Sequence, residues 1–462
     1  MPSTPLHDPD TRRRRTVAWV VSLATVGLIF DGYDLVVYGA VVSTFLDDPS
    51  HLGEVTPAVA GTLGSYALLG MMAGALLAGA FGDVLGRRKI MLISYAWFSV
   101  GMFVTALTTT TTAFGTLRFL TGLGIGALIA TTATLVTEIA PPGKKNLYSA
   151  ITYSGVPLGS LLGALLAILL LDAIGWRGLF MIGALPIVTL LPLAIVKMPE
   201  SVQWLVVRGR IDEARAVSER TGIPLPDTAT TPQQAQGEKV GFAALVRRGF
   251  VLSTLVVGAI SALGQFLNYY LNTWLPVMME QAGFNAKGSL AFLLVLSGGA
   301  ILGAVAGSRC ADRFGPKPVV AAGFAIGASF VALMTLDLPL PVLLFFVAVV
   351  GFGTTGTSIL IYGLVATYFP TRMRGAAVAW AAGFGRLGGV SGPLLGGLFL
   401  AAGLGVDAVF HVLAALALLG VALTVLIPKP RRDTDDSGHS VDSEPTASEQ
   451  PGDGHPIATV TR

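Results

Sequence analysis

Gly82-Asp83-Val84-Leu85-Gly86-Arg87-Arg88-Lys89 lies between two long apolar runs, and Ala311-Asp312-Arg313-Phe314-Gly315-Pro316-Lys317 repeats its plan between two others. A second landmark keeps the same offset: Pro141 in Glu138-Ile139-Ala140-Pro141 answers to Pro370 in Tyr368-Phe369-Pro370, 229 residues on in each case (312 minus 83; 370 minus 141). Two landmarks at one offset point to a duplicated unit. Outward from these motifs, apolar runs of bilayer-crossing length, about 20 residues, occur near 17–44, 57–81, 90–108, 112–137, 148–172 and 178–197. Six more follow near 250–276, 288–308, 318–336, 339–366, 375–402 and 405–427. They are numbered here as spans 1 to 12.

Composition agrees with that count. The 462 residues are 53% hydrophobic and only 12% charged, with a mean hydropathy of +0.71, against roughly 25% charged residues in soluble domains. The formal charge of +3 gives no reason to expect a nucleic-acid partner. One cysteine, Cys310, excludes an internal disulfide, a CxxC pair and a multi-thiolate metal site. The apolar run after Arg12 to Arg15 is too long for a cleaved signal peptide and carries acids, so it reads as span 1 behind a basic anchor.

The fold class expected is an all-α membrane protein of twelve transmembrane helices in two pseudo-symmetric six-helix bundles. The expected organisation is a cytoplasmic tail at 1–16, a first bundle at 17–197, a cytoplasmic linker at 198–248, a second bundle at 249–427 and a disordered cytoplasmic tail at 428–462. An amphipathic helix is expected within the linker at 211–220. With the N-terminus in the cytoplasm, 26 of the 30 Lys and Arg residues fall on that side. Only Arg177 and Lys287 fall outside, while Arg118 and Arg386 lie within spans. This asymmetry sets orientation and places both termini in the cytoplasm of a multi-pass cell-membrane protein.

The Gly82–Lys89 motif, Arg118 followed by Gly122, Gly124 and Gly126, and Pro199-Glu200-Ser201-Val202-Gln203-Trp204-Leu205 resemble signatures of the major facilitator superfamily, over residues 17–427. Gln203 stands where a basic residue is usual. Phe30-Asp31-Gly32-Tyr33-Asp34-Leu35 in span 1 resembles the paired-aspartate motif of the aromatic acid:H+ symporter family. That resemblance implies proton-coupled uptake of benzoate, hydroxybenzoates and related carboxylates. Arg118, Glu138, Asp312, Arg374 and Arg386 fall where that family carries charges. A sugar or a non-aromatic organic acid is the alternative cargo. A membrane sensor or enzyme would call for a nucleophile with its base, a metal cluster or an appended soluble domain, none of which is in the sequence.

The charges carry a physical reading of their own. An ionised side chain at a helix centre costs roughly 2.5–3.5 kcal/mol on insertion scales, so it faces a cavity or a partner. Asp31 and Asp34, three residues apart, share a helix face, about 24 Å of helix beyond Arg15. Two carboxylates so close in a poor dielectric repel, which enables the pair to exchange a proton. The bland alternative is a buried pair satisfied by helix-end or Arg contacts, although Asn or Ser would fill that role at lower cost. Asp31, Asp34 and Arg118 are the candidate proton-coupling residues.

Arg386, at comparable depth in span 11, is the candidate for the substrate carboxylate, since guanidinium takes a carboxylate bidentately and stacks on rings. The alternative is an Arg that only neutralises Asp31 or Asp34, and the two coexist if the substrate displaces the internal partner. Asp34, Tyr38, Gln265, Asn268, Tyr269, Asn272, Tyr362 and Trp380 complete the candidate binding set. Residues 265, 268, 269 and 272 recur at helical spacing on one face of span 7. Asp83, Arg87, Arg88, Glu138, Asp312, Arg313 and Arg374 form the candidate gate, because a short loop turning at Gly86 or Gly315 brings its acid to the N-terminus of a neighbouring helix. The glycines after Arg118 lie inside a span, which favours close helix packing over a dinucleotide site. The five histidines show no ligand spacing. No catalytic residue, cofactor or metal is expected. The expected partners are an aromatic carboxylate, protons and lipid, with the chain a monomer.

Overall fold

The computed structural model describes residues 9–141, 143–226, 245 and 250–428, without the side chains of Pro9, Asp83, Asn146, Thr371 and Arg372. The expected tail beyond Pro428 and most of the linker after residue 226 lie outside the described residues.

Among the described residues the helices group into twelve segments, consistent with the twelve expected spans. Spans 1 to 4 are single helices, Pro9–Asp47, Pro57–Leu85, Arg87–Ala106 and Thr111–Ile139. Span 5 is built from Lys145–Tyr153 and the first part of Gly155–Gly183. Gly175, at φ 65° and ψ −179°, breaks that helix, because only glycine takes such a conformation without a Cβ penalty. Span 6 therefore begins beside Trp176 and ends with Leu190–Lys197. Spans 7, 8 and 9 are Val251–Gln281, Ala286–Phe314 and Pro316–Leu333. Span 10 is Leu340–Gly351 and Thr357–Tyr368, joined by a π-helical turn, Phe352–Gly356. Spans 11 and 12 are Thr371–Ala401 and Val406–Leu426.

Span 1 starts eight residues earlier than its apolar run. The basic block continues the helix, where Arg12 donates to the Glu219 carbonyl at 2.8 Å and Thr16 to that of Thr221 at 3.2 Å. Both acceptors sit in helix Ile211–Thr221, which follows Val202–Val207. Trp204, Leu205, Ala214 and Ile223 share a core with Val20, Leu23 and Leu135, so the linker's first part is bound to the first bundle. The end of the molecule carrying these helices is called the linker face.

The duplication extends to the packing. Gly70 and Gly74 of span 2 would meet the carbonyls of Phe119 and Leu123 in span 4 if they carried a Cβ, and Gly122 would meet that of Ala67. Gly299, Gly303 and Gly351 make the matching approaches to Ala348, Phe352 and Leu296 between spans 8 and 10. Every one of these residues lies 229 positions after its counterpart (for instance 299 minus 70 and 348 minus 119). Lipid gives helices no hydrophobic reason to associate, so the small side chains that admit close backbones supply the fit. Gly124 instead faces Trp97 and Phe98 of span 3. The glycine run is thus a packing device.

The two halves meet toward the face opposite the linker. Gly39 of span 1 abuts Asn272 of span 7, Gly61 of span 2 abuts Pro393 of span 11, and Lys287 pairs with Asp172 at 2.8 Å. Ser65 donates across the halves to the Val390 carbonyl at 2.7 Å. Toward the linker face, Gly79, Gly375 and Gly383 look onto space free of described atoms within 4 Å. The close approaches between the halves named here thus lie toward the face opposite the linker.

Candidate functional site

Span 1 is set against span 5 by small residues. Gly32 lies on the backbone of Val156 and Gly159 on that of Ile29, while Tyr33 donates to the Leu179 carbonyl at 2.7 Å. This crossing fixes the helix rotation, so Asp31 and Asp34 turn toward the seam between the halves. Asp34 forms an ion pair with Arg118 of span 4, the two side chains being 5% and 3% exposed. Asp31 is buried too, and Arg386 is the leading charge facing it from the second half. Removing one member of a buried pair costs about 3–5 kcal/mol, since it strands the other charge.

Arg118 has more around it than its acid. Its guanidinium carbon lies 4.9 Å from the Tyr38 ring centroid and 5.9 Å from that of Phe180. Tyr38 donates to the Ala60 carbonyl, so its hydroxyl is committed within the first bundle. Asp31, Asp34, Tyr38, Arg118, Tyr269, Thr273 and Pro393 enclose a space of about 30 Å³. That is room for about one water, a tenth of the roughly 300 Å³ at which ligand pockets begin.

Arg386 lies on the linker side of this space. Tyr153, Tyr269 and Tyr362 are within electrostatic range of it. A Cβ on its neighbour Gly385 would sit 3.2 Å from Gln265 and 3.7 Å from the Tyr362 hydroxyl, placing those two side chains at the same level. The structure thus brings together Asp31, Asp34, Arg118, Arg386, Tyr269, Gln265 and Tyr362. Asn272 instead donates to the Asn268 carbonyl at 2.8 Å and to its side-chain oxygen at 3.0 Å, at the closed seam. Trp380 lies about 9 Å of helix nearer the linker face than Arg386, donating to the Thr254 carbonyl at 2.9 Å and stacked near Phe384.

At the linker face, Arg87 reaches Glu138 at 3.3 Å and the Gly82 carbonyl at 2.7 Å. Glu200 accepts from the Arg88 and Ser201 backbone N–H groups, each at 3.0 Å, and the Arg88 guanidinium bonds the Ile195 carbonyl at 2.6 Å. Gly86 and Gly315 take φ 92° and 86°, the left-handed turns both echoed motifs need. Asp312, Arg313 and Arg374 are exposed. The Asp83 side chain lies outside the description.

The sequence family described as sugar (and other) transporter matches residues 20–428. The chain belongs to that family. It is a multi-pass membrane transporter of the major facilitator fold, and not an enzyme. Relatives of this transporter include the benzoate transport protein of Acinetobacter baylyi, 32% identical over 88% of this chain and 89% of that one. The gentisate transporter of Corynebacterium glutamicum is 33% identical over 87% and 85%. The 4-hydroxybenzoate transporter of Pseudomonas aeruginosa is 28% identical over 88% and 92%. Among solved structures, a D-xylose-proton symporter superposes with a TM-score of 0.71 at 18% identity, covering 90% of this chain and 99% of that one. Within this transporter, Phe180 beside Arg118 and Tyr153 near Arg386 lie at the candidate site and were missed by sequence reasoning. An aromatic residue inside an apolar span carries no local mark of the charge it faces.

Proposed function

We propose that this transporter takes up a small aromatic carboxylate of the benzoate or hydroxybenzoate type together with protons, by alternating access, with the linker face and both termini in the cytoplasm. The observation that carries the reading is the Asp34–Arg118 pair, buried beside Asp31, which in turn faces Arg386 across the seam. An anion entering a negative-inside cell works against about 2.3 kcal/mol per 100 mV. One accompanying proton removes that penalty, and the pH gradient adds about 1.4 kcal/mol per unit. The carrier then needs a group that is neutral in one state and charged in another within the membrane. Asp31 and Asp34 supply it, whereas Arg386 remains charged and receives the substrate carboxylate on the open side, with Gln265, Tyr269 and Tyr362 around the ring. The relatives named above carry aromatic acids, which favours that cargo over a sugar.

The Arg87–Glu138 contact and the echoed Asp83 and Asp312 turns form the cytoplasmic gate in this reading, acting on exchange between conformations and leaving binding alone. The decisive experiment is uptake of labelled benzoate, 4-hydroxybenzoate, gentisate and xylose into proteoliposomes, with and without an imposed pH gradient. Accumulation of an aromatic acid driven by the gradient, and its loss in the Asp31→Asn, Asp34→Asn double variant, is the expected result. A double variant that still concentrates the acid would place coupling elsewhere. Orientation is read from thiol labelling in intact cells, where an impermeant maleimide should modify Ser50→Cys and leave Cys310, exposed at the linker face, untouched. The reverse pattern would invert the topology.

A further inference from the structure

We infer that the rings of Tyr38 and Phe180 hold Arg118 in place when Asp34 takes up a proton, which makes them positioning residues of the coupling step. The inference rests on the reading that the Asp34–Arg118 pair exchanges the coupled proton. The step itself is simple: a proton from water joins an Asp34 carboxylate oxygen, the ion pair opens, and Arg118 keeps its own charge. Within the bundle that leaves a guanidinium without a counterion, which is costly. A cycle that strands the cation on every turn needs a second stabiliser, one that is itself indifferent to protons.

Two independent observations supply it. The guanidinium lies over both rings, at 4.9 and 5.9 Å from their centroids, within the range of a cation–π contact, which strengthens where water is excluded. Arg118 Nε is buried and has no hydrogen-bond partner among the described residues. Beyond Asp34, the group is therefore met by ring faces. The rings are also fixed. Phe180 packs edge-on against Phe114 and Trp176, with centroids 5.6 and 5.9 Å away, and Phe114 lies 6.3 Å from the Tyr38 ring. Phe180 is fully buried. It arrives from span 6, immediately after the Gly175 break, so the chain conformation that separates spans 5 and 6 also delivers this ring.

The other ionisable groups around the pair are Asp31 and Tyr33 on span 1, Tyr269 on span 7 and Arg386 on span 11. Span 2 contributes Gly64, Ala67, Leu68 and Met71 to the wall, and span 5 contributes Val156. Weakening the rings leaves all of these in place. It penalises the lone guanidinium more than the paired one, so protonation of Asp34 becomes harder and the pH midpoint of coupled uptake moves down.

The test is the pH profile of labelled benzoate or 4-hydroxybenzoate uptake, whichever the wild-type protein concentrates, in proteoliposomes. Tyr38→Leu and Phe180→Leu should each lower the midpoint by about one pH unit, a tenfold loss of proton affinity. Tyr38→Phe and Phe180→Tyr should keep it. Because the leucine variants can fail to fold, the same profile is measured with mono-, di- and trifluorophenylalanine at position 180, which preserve shape and progressively drain the ring face. A midpoint that falls with each fluorine supports the inference. A midpoint that stays at the wild-type value throughout the series overturns it. Asp34→Asn separates the two levels: if that variant still concentrates the acid, the coupling reading itself falls, whereas its failure alongside a flat fluorine series removes only the rings' role.

Discussion

The pairing of Asp34 with Arg118 joins residues 84 positions apart, and its energetics are asymmetric. Arg118→Leu leaves a buried carboxylate alone, at a cost of about 3–5 kcal/mol, and the thermal midpoint in detergent should drop accordingly. Adding Asp34→Asn to that variant removes the stranded charge and should recover about half of the loss. A double variant no more stable than Arg118→Leu would mean that the pair is not held as a mutually dependent unit. Arg386→Lys trades a planar fork for a point charge and should weaken binding of the transported acid about tenfold, read as the apparent affinity at saturating protons. At this scale the sequence was informative wherever a charge interrupted an apolar run: Asp31, Asp34, Arg118 and Arg386 all stood out for that reason. Which acid meets which base was not legible, because it depends on the rotation of span 1 that Gly32 and Gly159 impose against span 5. Tyr38, a candidate pocket wall, does line the enclosed space, and its ring also lies against Arg118 while its hydroxyl bonds the Ala60 carbonyl.

The elements divide between those stated by local pattern and those that depend on a partner. The crossings and the turns at Gly86 and Gly315 follow from apolar length and from φ values near 90° that favour glycine. The π-helical turn of span 10 does not announce itself. Phe352-Gly353-Thr354-Thr355-Gly356 is an ordinary span sequence until Gly353 is seen against Gly327 of span 9 and Gly356 against Gly303 of span 8. The widened turn thus lies where the backbones of three spans crowd together. The packing glycines allow a paired prediction. Gly122→Ala drives a methyl into the Ala67 carbonyl of span 2, whereas Gly79 has no described atom within 4 Å of a Cβ. Gly79→Ala should therefore give wild-type yields of monodisperse protein after extraction, and Gly122→Ala should lose most of it. Equal yields would refute the close approach of spans 2 and 4.

On the scale of the whole molecule, the halves share packing and differ in charge. The glycine approaches recur 229 residues apart, yet Arg118 is answered at that offset by Val347 and Arg386 by Pro157. The duplicated unit supplies a shared scaffold, and the buried charges are placed on it singly: the Asp34–Arg118 pair in the first half and Arg386 in the second. What holds the closed end is consequently a matter of contacts between non-equivalent residues, and Asp172–Lys287 is an ion pair among them. Lys287 is anomalous twice over. It lies on the face poor in basic residues, and it occupies the first turn of span 8, where a cation opposes the helix dipole. Both members are more than half exposed, at 67% and 62%, so the pair contributes at most about 1 kcal/mol to folding. In the alternating access proposed above, the pair parts as the opposite face opens, so the same energy acts undiluted on the balance between conformations. It should shift that balance about two- to fivefold. Spin labels at Ser50 and Ala282, one in each half at that face, in a background lacking Cys310, report the opening as a longer distance. Lys287→Glu should raise the long-distance population two- to fivefold with no change in thermal stability, and adding Asp172→Lys should return it to the starting value. If the single reversal leaves the distance distribution as it was, the bridge is a surface contact with no part in the exchange between states.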